Sequence, residues 1–306
     1  MTVPRKQKGR EVTGIVLLDK PKGLTSNKAL QVVKNLFGAR KAGHTGSLDP
    51  IATGMLPICL GEATKVSGFL LEADKAYRAV CQLGVTTSSG DADGEIVQTR
   101  PVQGVDAARL EQVLHTFVGE ISQIPPMHSA IKQNGVPLYK LAHQGLEVER
   151  KPRQVKIHTL TLSRLNRGVF EIEVKCSKGT YIRTLAEDIG EALGCGAHIV
   201  ELRRTQVGPL SGPLWTLEQI QDMPGFTQRD EILLSTDMAL EDFPKVELSP
   251  DATYYLRKGQ AVFLPRMGAT GLVRLYSGNG EFVGMGTVLE DGRIGPKRLM
   301  NQVKMS

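Results

Sequence analysis

Cysteine is scarce in this chain of 306 residues, and its four copies lie far apart. No two of them form a Cys-x-x-Cys pair, so the sequence lacks the ligand spacing of a structural zinc site. The four are Cys59, Cys81, Cys176 and Cys195. Isolated cysteines are most often buried thiols, and we therefore expect reduced side chains in a reducing compartment.

Long apolar runs are missing as well, since no segment approaches the roughly 20 consecutive apolar residues of a membrane-spanning helix. Residues 1–10 contain Arg5, Lys6, Lys8 and Arg10, with no apolar signal-peptide segment behind them. We expect a solvated basic arm on a cytoplasmic protein that has no membrane partner. The apolar fraction of 41% is nevertheless ample for a packed core and too high for a disordered chain.

Several familiar ligand-binding motifs are also absent. The chain has no Gly-x-x-x-x-Gly-Lys-Ser/Thr loop, no Gly-x-Gly-x-x-Gly fingerprint and no Gly-x-Ser-x-Gly elbow. The segment Asp91–Gly94 is partly similar to a calcium loop, but its glycine comes too early and Val102 occupies the position of the required glutamate. We interpret this segment as a turn and predict no metal ligand.

Positive charge exceeds negative charge only modestly, with 38 lysines and arginines against 32 acidic residues and a net charge of +6. That balance alone favours a polyanionic partner only weakly. Basic residues cluster at the N-terminus, at Lys34, Arg40 and Lys41, at Arg150, Lys151, Arg153 and Lys156, at Arg203 and Arg204, and at Lys297 and Arg298. Each cluster alone is more often a solvated surface, whereas several around one catalytic loop would neutralise the phosphates of a nucleic acid.

Apolar periodicity predicts strands and helices that mix without regular β-α-β alternation. Apolar residues run together or alternate with polar ones in three predicted strands, at 13–18, 77–84 and 170–176. Helical stripes follow three capping signals, which are Thr25 or Ser26, Asp106, and Thr180. The irregular order argues for an α+β fold over a doubly wound sheet.

Two segments depart from this pattern. Residues 124–153 are polar and basic and contain an Asn-Gly hairpin-type turn, so we expect an insertion that stands off the core. Beyond Pro244, short strand-like runs alternate with turn signals, and no helix of any length is expected there. We therefore expect one domain over 1–246 and a small all-β module over 247–306, a size that can fold alone.

One polar loop is the candidate for chemistry. Residues 43–54 combine three glycines with His, Thr and Asp side chains. Glycines permit a tight path close to a ligand, and Pro50 stiffens the backbone just after Asp49. A rigid loop of this kind can hold one carboxylate in a fixed direction. The spacing also leaves a structural alternative open, in which Asp49 only caps a turn before Pro50.

This loop and its surroundings resemble a known family. The segment from Gly43 to Pro57 is similar to motif II of the TruB family of tRNA pseudouridine synthases, although Ser47 and Ile51 stand where the family often has Ala and Leu. Further motifs follow in the family's order over essentially the whole chain, at Leu18–Gly23, Asp74–Arg78, Cys176–Thr184 and Leu202–Arg204. The resemblance implies a mixed, mainly antiparallel central sheet with flanking helices, a thumb at about 124–153 and a C-terminal PUA-like RNA-binding domain.

The resemblance also implies roles for single residues. Asp49 is implied to be the catalytic carboxylate, Tyr77 to stack on the target uracil and help remove its C5 proton, and Arg183 to pair with Asp49. Such a cation would keep the carboxylate ionised and aimed. Roles in lining or supporting the uracil pocket are implied for Tyr181, Leu202, Lys20 and Pro21. From spacing alone, Tyr77 would be an ordinary strand residue and Arg183 a solvated helix residue.

His44 is implied to bind RNA. A target uridine inside a folded loop must leave its stack to be reached, and a flat group can fill the gap that it leaves. The resemblance implies that His44 stacks within the T-loop of tRNA in this way. The alternative is that His44 acts as a general base, although Asp49 and Tyr77 already supply the groups that the chemistry needs.

The activity that the resemblance implies is isomerisation of uridine 55 in the tRNA T stem-loop to pseudouridine, after the base has flipped. The reaction detaches uracil from the ribose and rejoins it through another atom. Because it is redox-neutral and consumes no water, it demands no metal and no organic cofactor. We expect a monomer that needs no protein partner. Two alternatives remain, which are the same fold acting on another RNA and a non-catalytic tRNA-binding or tRNA-folding protein.

Overall fold

The computed structural model describes residues 9–142, 144–264 and 268–301. Most of the basic arm expected at 1–10 lies outside these ranges. Within them, no helix is both long enough and apolar enough to cross a membrane.

The elements follow one another in an irregular order. The first part of the chain forms β1 (Gly14–Lys20), α1 (Ser26–Leu36), β2 (Ala42–His44), β3 (Thr53–Leu60), α2 (Ser67–Glu72), β4 (Lys75–Leu83), β5 (Val85–Thr87), β6 (Ile96–Thr99), α3 (Ala107–Thr116) and β7 (Gly119–Gln123). The middle part forms β8 (Lys132–Gln133), β9 (Val136–Pro137), α4 (Leu138–Ala142), β10 (Arg153–Asn166), β11 (Val169–Cys176), α5 (Ile182–Ala192), β12 (Ala197–Val207), α6 (Leu217–Asp222) and α7 (Gly225–Glu231). The C-terminal part forms β13 (Lys245–Leu248), α8 (Pro250–Arg257), β14 (Val262–Phe263), β15 (Leu272–Ser277), β16 (Phe282–Val288) and β17 (Arg293–Leu299). Short 3-10 helices lie at Gly61–Lys65 and Thr236–Leu240.

A mixed eight-stranded sheet organises the first two parts, in the order β1-β3-β12-β4-β11-β10-β7 with β2 also paired to β3. The described pairings in this sheet are antiparallel except that of β12 with β3, which joins Arg203 to Thr53 and Arg204 to Gly54. Because β1 occupies one edge of β3, β12 and β2 share the other edge. The loop between β2 and β3 therefore emerges where β12 and β3 diverge. The expected α+β class is confirmed.

Two apolar layers hold the sheet. Helices α1, α3 and α5 contribute side chains such as Val33, Leu110 and Ile189 to the larger core, which also contains Phe170 of β11. The second layer packs residues of β1, β3 and α2 against Met285 of β16, which ties the C-terminal sheet to the rest. Each side chain of this size contributes about 1.5–3 kcal/mol when it is fully buried.

The four cysteines are buried and unpaired, as their spacing predicts. Burial raises the pKa of the Cys59 thiol to about 12 and that of Cys176 to about 11. A thiol that stays protonated is a poor nucleophile and a poor metal ligand. Cys59 and Cys176 therefore act as small apolar residues in the core.

Two of the three capping signals are confirmed. The Thr25 hydroxyl accepts a hydrogen bond from the Lys28 amide at the start of α1. The Asp106 carboxylate does the same for Arg109 at the start of α3. The cap expected at Thr180 is wrong, because its hydroxyl donates to the Ser177 carbonyl of the preceding turn and α5 begins only after Tyr181.

The C-terminal part forms a five-stranded sheet in the order β13-β15-β16-β17-β14. The expectation of no helix there is wrong. Ser249 caps α8 by accepting from the Ala252 amide, and Pro250 occupies a first-turn position, where its missing N–H costs nothing. With eight residues, α8 is too short for its apolar stripe to stand out in the sequence. Strand β13 spans the expected domain boundary at 246/247.

Candidate active site

The loop that carries Asp49 is held by its neighbours on both sides of that residue. The Ser26 hydroxyl at the start of α1 accepts from the Leu48 amide at 2.7 Å and donates to the Leu48 carbonyl at 3.0 Å. Beyond Asp49, the Gly23 amide donates to the Pro50 carbonyl at 2.7 Å. These bonds leave the backbone little freedom, so the direction of the Asp49 side chain is set by the fold.

The Asp49 carboxylate faces the guanidinium of Arg183, as the resemblance implies. Its Oδ2 lies 3.0 Å from an Arg183 nitrogen, and only 5% of the arginine side chain is exposed, against 42% for Asp49. Arg183 follows Tyr181 at the start of α5, whose packing on the sheet turns the arginine inward. It also donates to the Ser89 carbonyl at 2.9 Å and to the His128 carbonyl at 2.7 Å. A guanidinium held at several points can aim the carboxylate that it binds.

A second carboxylate, Asp91, also lies near Arg183. Its Oδ2 is 3.6 Å from the other terminal nitrogen of the guanidinium, and its side chain is only 6% exposed. The Ser89 hydroxyl donates to it at 2.5 Å and the Asp93 amide at 3.2 Å. The turn predicted for this segment is present, but its spacing carried no sign that Asp91 would face an arginine on a distant helix.

Burial raises the pKa of the Asp49 carboxyl above its ordinary value. Arg183 opposes that rise, Asp91 adds to it, and Lys20 opposes it. Glu187, on the same helix as Arg183, has its pKa raised to about 7 by burial and by Asp188. Perturbed carboxyl groups gathered around one buried arginine are typical of a functional site.

Tyr77 lies on β4, where it is opposite Val174 of β11 on one side and Arg204 of β12 on the other. Burial raises the pKa of its hydroxyl, and the nearby Asp49 carboxylate also acts in that direction. The ring therefore carries a neutral phenol at physiological pH. The Asp49 carboxylate is thus near enough to Tyr77 to affect the pKa of its hydroxyl, although the two residues are 28 positions apart in the sequence.

The expected pocket residues lie around this pair. Lys20 is fully buried, and its Nζ donates to the Pro21 carbonyl at 2.8 Å and to the Leu24 carbonyl at 2.7 Å. Burial lowers the pKa of Lys20 to about 8, while Asp49 acts against that shift. Leu202 on β12 is buried and lines a cavity of about 130 Å³ whose wall also contains Ile51.

Tyr181 is fixed by a glutamine that the sequence did not single out. The buried Gln123 accepts from the Tyr181 amide at 3.0 Å and donates to the Tyr181 carbonyl at 3.2 Å. Gln123 is the last residue of β7, immediately before the 124–153 segment. That segment was expected to stand off the core, yet its His128 carbonyl accepts a hydrogen bond from Arg183 and its Leu138 is buried.

His44 ends β2 and is half-buried. Burial and the charge of Arg204 lower the pKa of its imidazole, so the ring is neutral at physiological pH. Its Nδ1 is buried and has no hydrogen-bond partner within the described part of the chain. The structure therefore brings Asp49, Tyr77, Arg183 and Lys20 together and places His44 at the entrance to the loop.

No group of three or more His, Cys, Asp or Glu side chains within the described residues could hold a metal ion. The charged groups of the site are instead the carboxylates of Asp49 and Asp91, the guanidinium of Arg183 and the buried ammonium of Lys20. Such a set can bind and orient an uncharged ring, stabilise charge that develops on it and move a proton.

Sequence comparisons match three consecutive parts of the chain. Residues 34–182 match "TruB family pseudouridylate synthase (N terminal domain)", residues 183–241 match "tRNA pseudouridylate synthase B C-terminal domain", and residues 244–300 match "Pseudouridine synthase II TruB, C-terminal". The tRNA pseudouridine synthase B of Nitrosococcus oceani is 54% identical, over 98% of this chain and 98% of the relative. The protein of the same name from Coxiella burnetii is 52% identical over 96% of each.

Solved structures share the fold. A chain from a Cbf5-Nop10-Gar1 complex is 29% identical with a TM-score of 0.73, covering 95% of this chain and 84% of that one. A chain from an H/ACA RNP bound to a substrate RNA containing 2'-deoxyuridine is 26% identical with a TM-score of 0.72, covering 99% of this chain and 92% of that one. These similarities extend over the central sheet, its flanking helices and the C-terminal sheet.

Proposed function

This chain belongs to the TruB family of pseudouridylate synthases and is an isomerase that acts on tRNA, and we propose that its target is uridine 55 of the T-loop. The observation that supports catalysis at this site is the contact of 3.0 Å between Asp49 and the buried Arg183, near Tyr77. Within the described residues, Asp49 binds Arg183 through Oδ2 while 42% of its side chain is exposed, and we propose that it is the catalytic carboxylate.

The reaction needs one such group. The bond between N1 of uracil and C1′ of ribose breaks, a bond between C5 and C1′ forms, C5 loses a proton and N1 gains one. Glycoside hydrolysis uses two carboxyl groups because a water must also be activated or a leaving group protonated. Here both fragments stay in the pocket and no water is consumed. Attack at C6, attack at C1′ and removal of the 2′ proton would each require an ionised Asp49.

The other residues support this role. Arg183 keeps Asp49 ionised and aimed, and Tyr77 stacks on the uracil and takes part in removing the C5 proton. Tyr181 and Leu202 enclose the base, while Lys20 and Pro21 form the floor below it. Lys22 also lines the cavity beside Leu202, where its ammonium can neutralise a phosphate at the rim.

Incubation with an unmodified T stem-loop RNA tests the proposal. Pseudouridine should appear at position 55 alone, mapped by the block that its carbodiimide adduct makes to reverse transcription. A stem-loop with cytidine at position 55 is the matched control and should remain unmodified. Absence of pseudouridine in the first RNA, or its appearance elsewhere in the loop, would contradict the proposed target.

A stand-alone tRNA enzyme is favoured over the same fold working on another RNA. Relatives named for tRNA modification are 52–54% identical over nearly their full length, whereas the chains from RNP complexes are 26–29% identical. We propose that the protein acts as a monomer in the cytoplasm without a protein partner. Activity of the purified chain on the bare stem-loop would also exclude a purely tRNA-folding function.

For His44, we propose stacking in the space that the flipped nucleotide leaves. Replacement by alanine should slow modification about 10- to 100-fold, the range expected for loss of one base–aromatic stacking contact. His44→Phe keeps a flat ring and should recover most of the rate in single-turnover assays. If the phenylalanine variant were as inactive as a variant of Asp49, the imidazole would belong to the chemistry instead.

For the 124–153 segment, we propose a thumb that closes over the stem-loop. Replacing the hairpin residues 132–137 with two glycines should weaken RNA binding and flatten its dependence on salt, because each lost phosphate contact lowers the slope of log K against log salt by about 0.7–0.9. Filter binding at several salt concentrations measures both. An unchanged slope and affinity would refute the role of the hairpin.

A further inference from the structure

Arg204 closes the base of the loop that presents Asp49. It is 1% exposed, and its guanidinium donates to three backbone carbonyls. Nη2 reaches Gly46 at 3.1 Å and Nη1 reaches Ser47 at 3.5 Å, on the chain entering the loop. Nε reaches Met55 at 2.8 Å, on the chain leaving it. One side chain thus joins the two ends of the loop.

The strand that carries Arg204 lies between the two halves of the site. On β12, Arg204 is opposite Gly54 of β3 on one side and Tyr77 of β4 on the other. The approach to β3 is so close that a Cβ on Gly54 would lie 2.3 Å from the Arg204 carbonyl oxygen, and the φ of Gly54 is +95°. The position of Arg204 relative to the loop is therefore fixed at the backbone as well as through its side chain.

The guanidinium also acts on Tyr77. Burial raises the pKa of the Tyr77 hydroxyl, and the charge of Arg204, which lies opposite Tyr77 in the sheet, opposes that rise. Arg204 is thus linked both to the loop of Asp49 and to the ring of Tyr77. These are the two groups whose relative position decides whether a base held between them can react.

The surroundings of Arg204 argue against a role in stability alone. Within the described residues it forms no ion pair with a carboxylate, and its charge lowers the pKa of His44, Lys20 and Lys75, although burial is the larger cause in each case. A buried cation satisfied by neutral carbonyls and set among other basic groups is costly to the fold. Its presence is better explained by geometry, since the planar fork of arginine can hold several carbonyls at once.

We propose that Arg204 is a positioning residue for the isomerisation, which holds the Asp49 loop and the Tyr77 ring in one fixed arrangement. This inference rests on the proposed function. Arg204 touches neither base nor ribose in this role, and its effect reaches the reaction through the loop and the phenol. A shift of about 1 Å in such an arrangement lowers a rate on the order of 100-fold.

Two substitutions test the proposal. Arg204→Lys keeps the positive charge but loses the fork, and Arg204→Gln keeps amide donors but loses the charge. Arg229→Lys is the matched control, because Arg229 also holds backbone carbonyls, at Leu36 and Ile220 among others, in another part of the fold. For each protein, the melting temperature, the dissociation constant for T stem-loop RNA and the single-turnover rate at saturating RNA are measured.

Both Arg204 variants should bind RNA as tightly as the original chain and react on the order of 100-fold more slowly. Arg229→Lys should react at the original rate even if it melts at a lower temperature. Three results would overturn the proposal: an unchanged rate in Arg204→Lys, a loss confined to RNA affinity, or a loss no larger than that of an equally destabilised Arg229 variant. If even Arg204→Lys failed to fold, Arg204 would be required for folding itself, and the proposal would be wrong.

Failure of the proposed function can be recognised separately. If the original chain formed no pseudouridine in this RNA, the target would be wrong while the arrangement around Arg204 could still be tested. The absorbance titration of Tyr77, obtained by subtracting that of a Tyr77→Phe variant, should then move to higher pH in Arg204→Gln. An unmoved titration would overturn the link between Arg204 and Tyr77.

Discussion

Replacement of Asp49 by asparagine should abolish pseudouridine formation without weakening the fold. The amide keeps the size of the side chain and can still accept a hydrogen bond from Arg183, but it can neither attack carbon nor take a proton. We expect a loss of at least about 10⁴-fold, as for other enzymes that lose a principal catalytic group. Single-turnover assays with T stem-loop RNA measure the rate, and binding of the same RNA should be retained.

The effect on stability has the opposite sign. Because burial raises the pKa of Asp49, the folded chain holds that proton more tightly than the unfolded chain. The stability that protonation contributes is fully present when the pH is below the ordinary pKa of 3.8, and it is lost as the pH rises through the raised pKa of the folded chain. At neutral pH the ionised carboxylate therefore destabilises the fold, and asparagine, which carries no charge, removes this destabilisation. The melting temperature of Asp49→Asn at pH 7 should equal or exceed that of the original chain.

Asp237→Asn is the matched control. Burial would raise the pKa of Asp237, but hydrogen bonds from Ser235 and Tyr276 outweigh it and hold the pKa below its ordinary value. Such a carboxylate stabilises the fold when the pH is above its ordinary pKa, and this stabilisation is lost as the pH falls through the lowered pKa of the folded chain. Asp237→Asn should therefore melt lower at pH 7 and keep its rate. A rate in Asp49→Asn that falls by much less than about 10⁴-fold, or a melting loss as large as that of the control, would contradict the account of Asp49.

The sequence pattern identifies the loop of Asp49, but it does not identify the residue that pairs with Asp49. An aspartate before proline is common in turns, and the spacing of residues 43–54 left catalysis and turn capping both open. The partner of Asp49 is 134 positions away, at the start of a helix that meets the loop only once the sheet has formed. Apolar periodicity correctly predicts the buried face of α5. It does not predict that Arg183 on the same helix is also buried. The resemblance supplied that pairing.

Residues that hold the site were harder to foresee than residues that line it. The sequence correctly predicts a turn at Asp91, but turn signals describe the local backbone and not the groups that the turn faces. Gln123 and Ser26 act through bonds to distant backbone, which no periodicity encodes. The sequence places Arg203 and Arg204 in one basic cluster, yet the two side chains differ. Arg203 pairs with Asp19 at 2.8 Å and remains partly exposed, whereas Arg204 is buried. Alternation along β12 separates them.

Replacement of Arg183 should be the second most damaging change and should alter the pH dependence of the rate. In Arg183→Met the carboxylate loses the cation that opposes its raised pKa, so a smaller fraction of Asp49 is ionised at a given pH. The acid limb of the pH–rate profile should move to higher pH. At neutral pH we expect a loss on the order of 10³-fold, because aim and ionisation are both lost.

Two further variants separate these causes. Arg183→Lys keeps the charge and should leave the acid limb near its original pH, while its plateau rate falls because a lysine cannot reach both the Ser89 and His128 carbonyls with a planar fork. Asp91→Asn removes a carboxylate that raises the pKa of Asp49, so its acid limb should move to lower pH. Opposite shifts from Arg183→Met and Asp91→Asn would identify the acid limb with Asp49. Shifts in the same direction, or none, would mean that another group limits the rate at low pH.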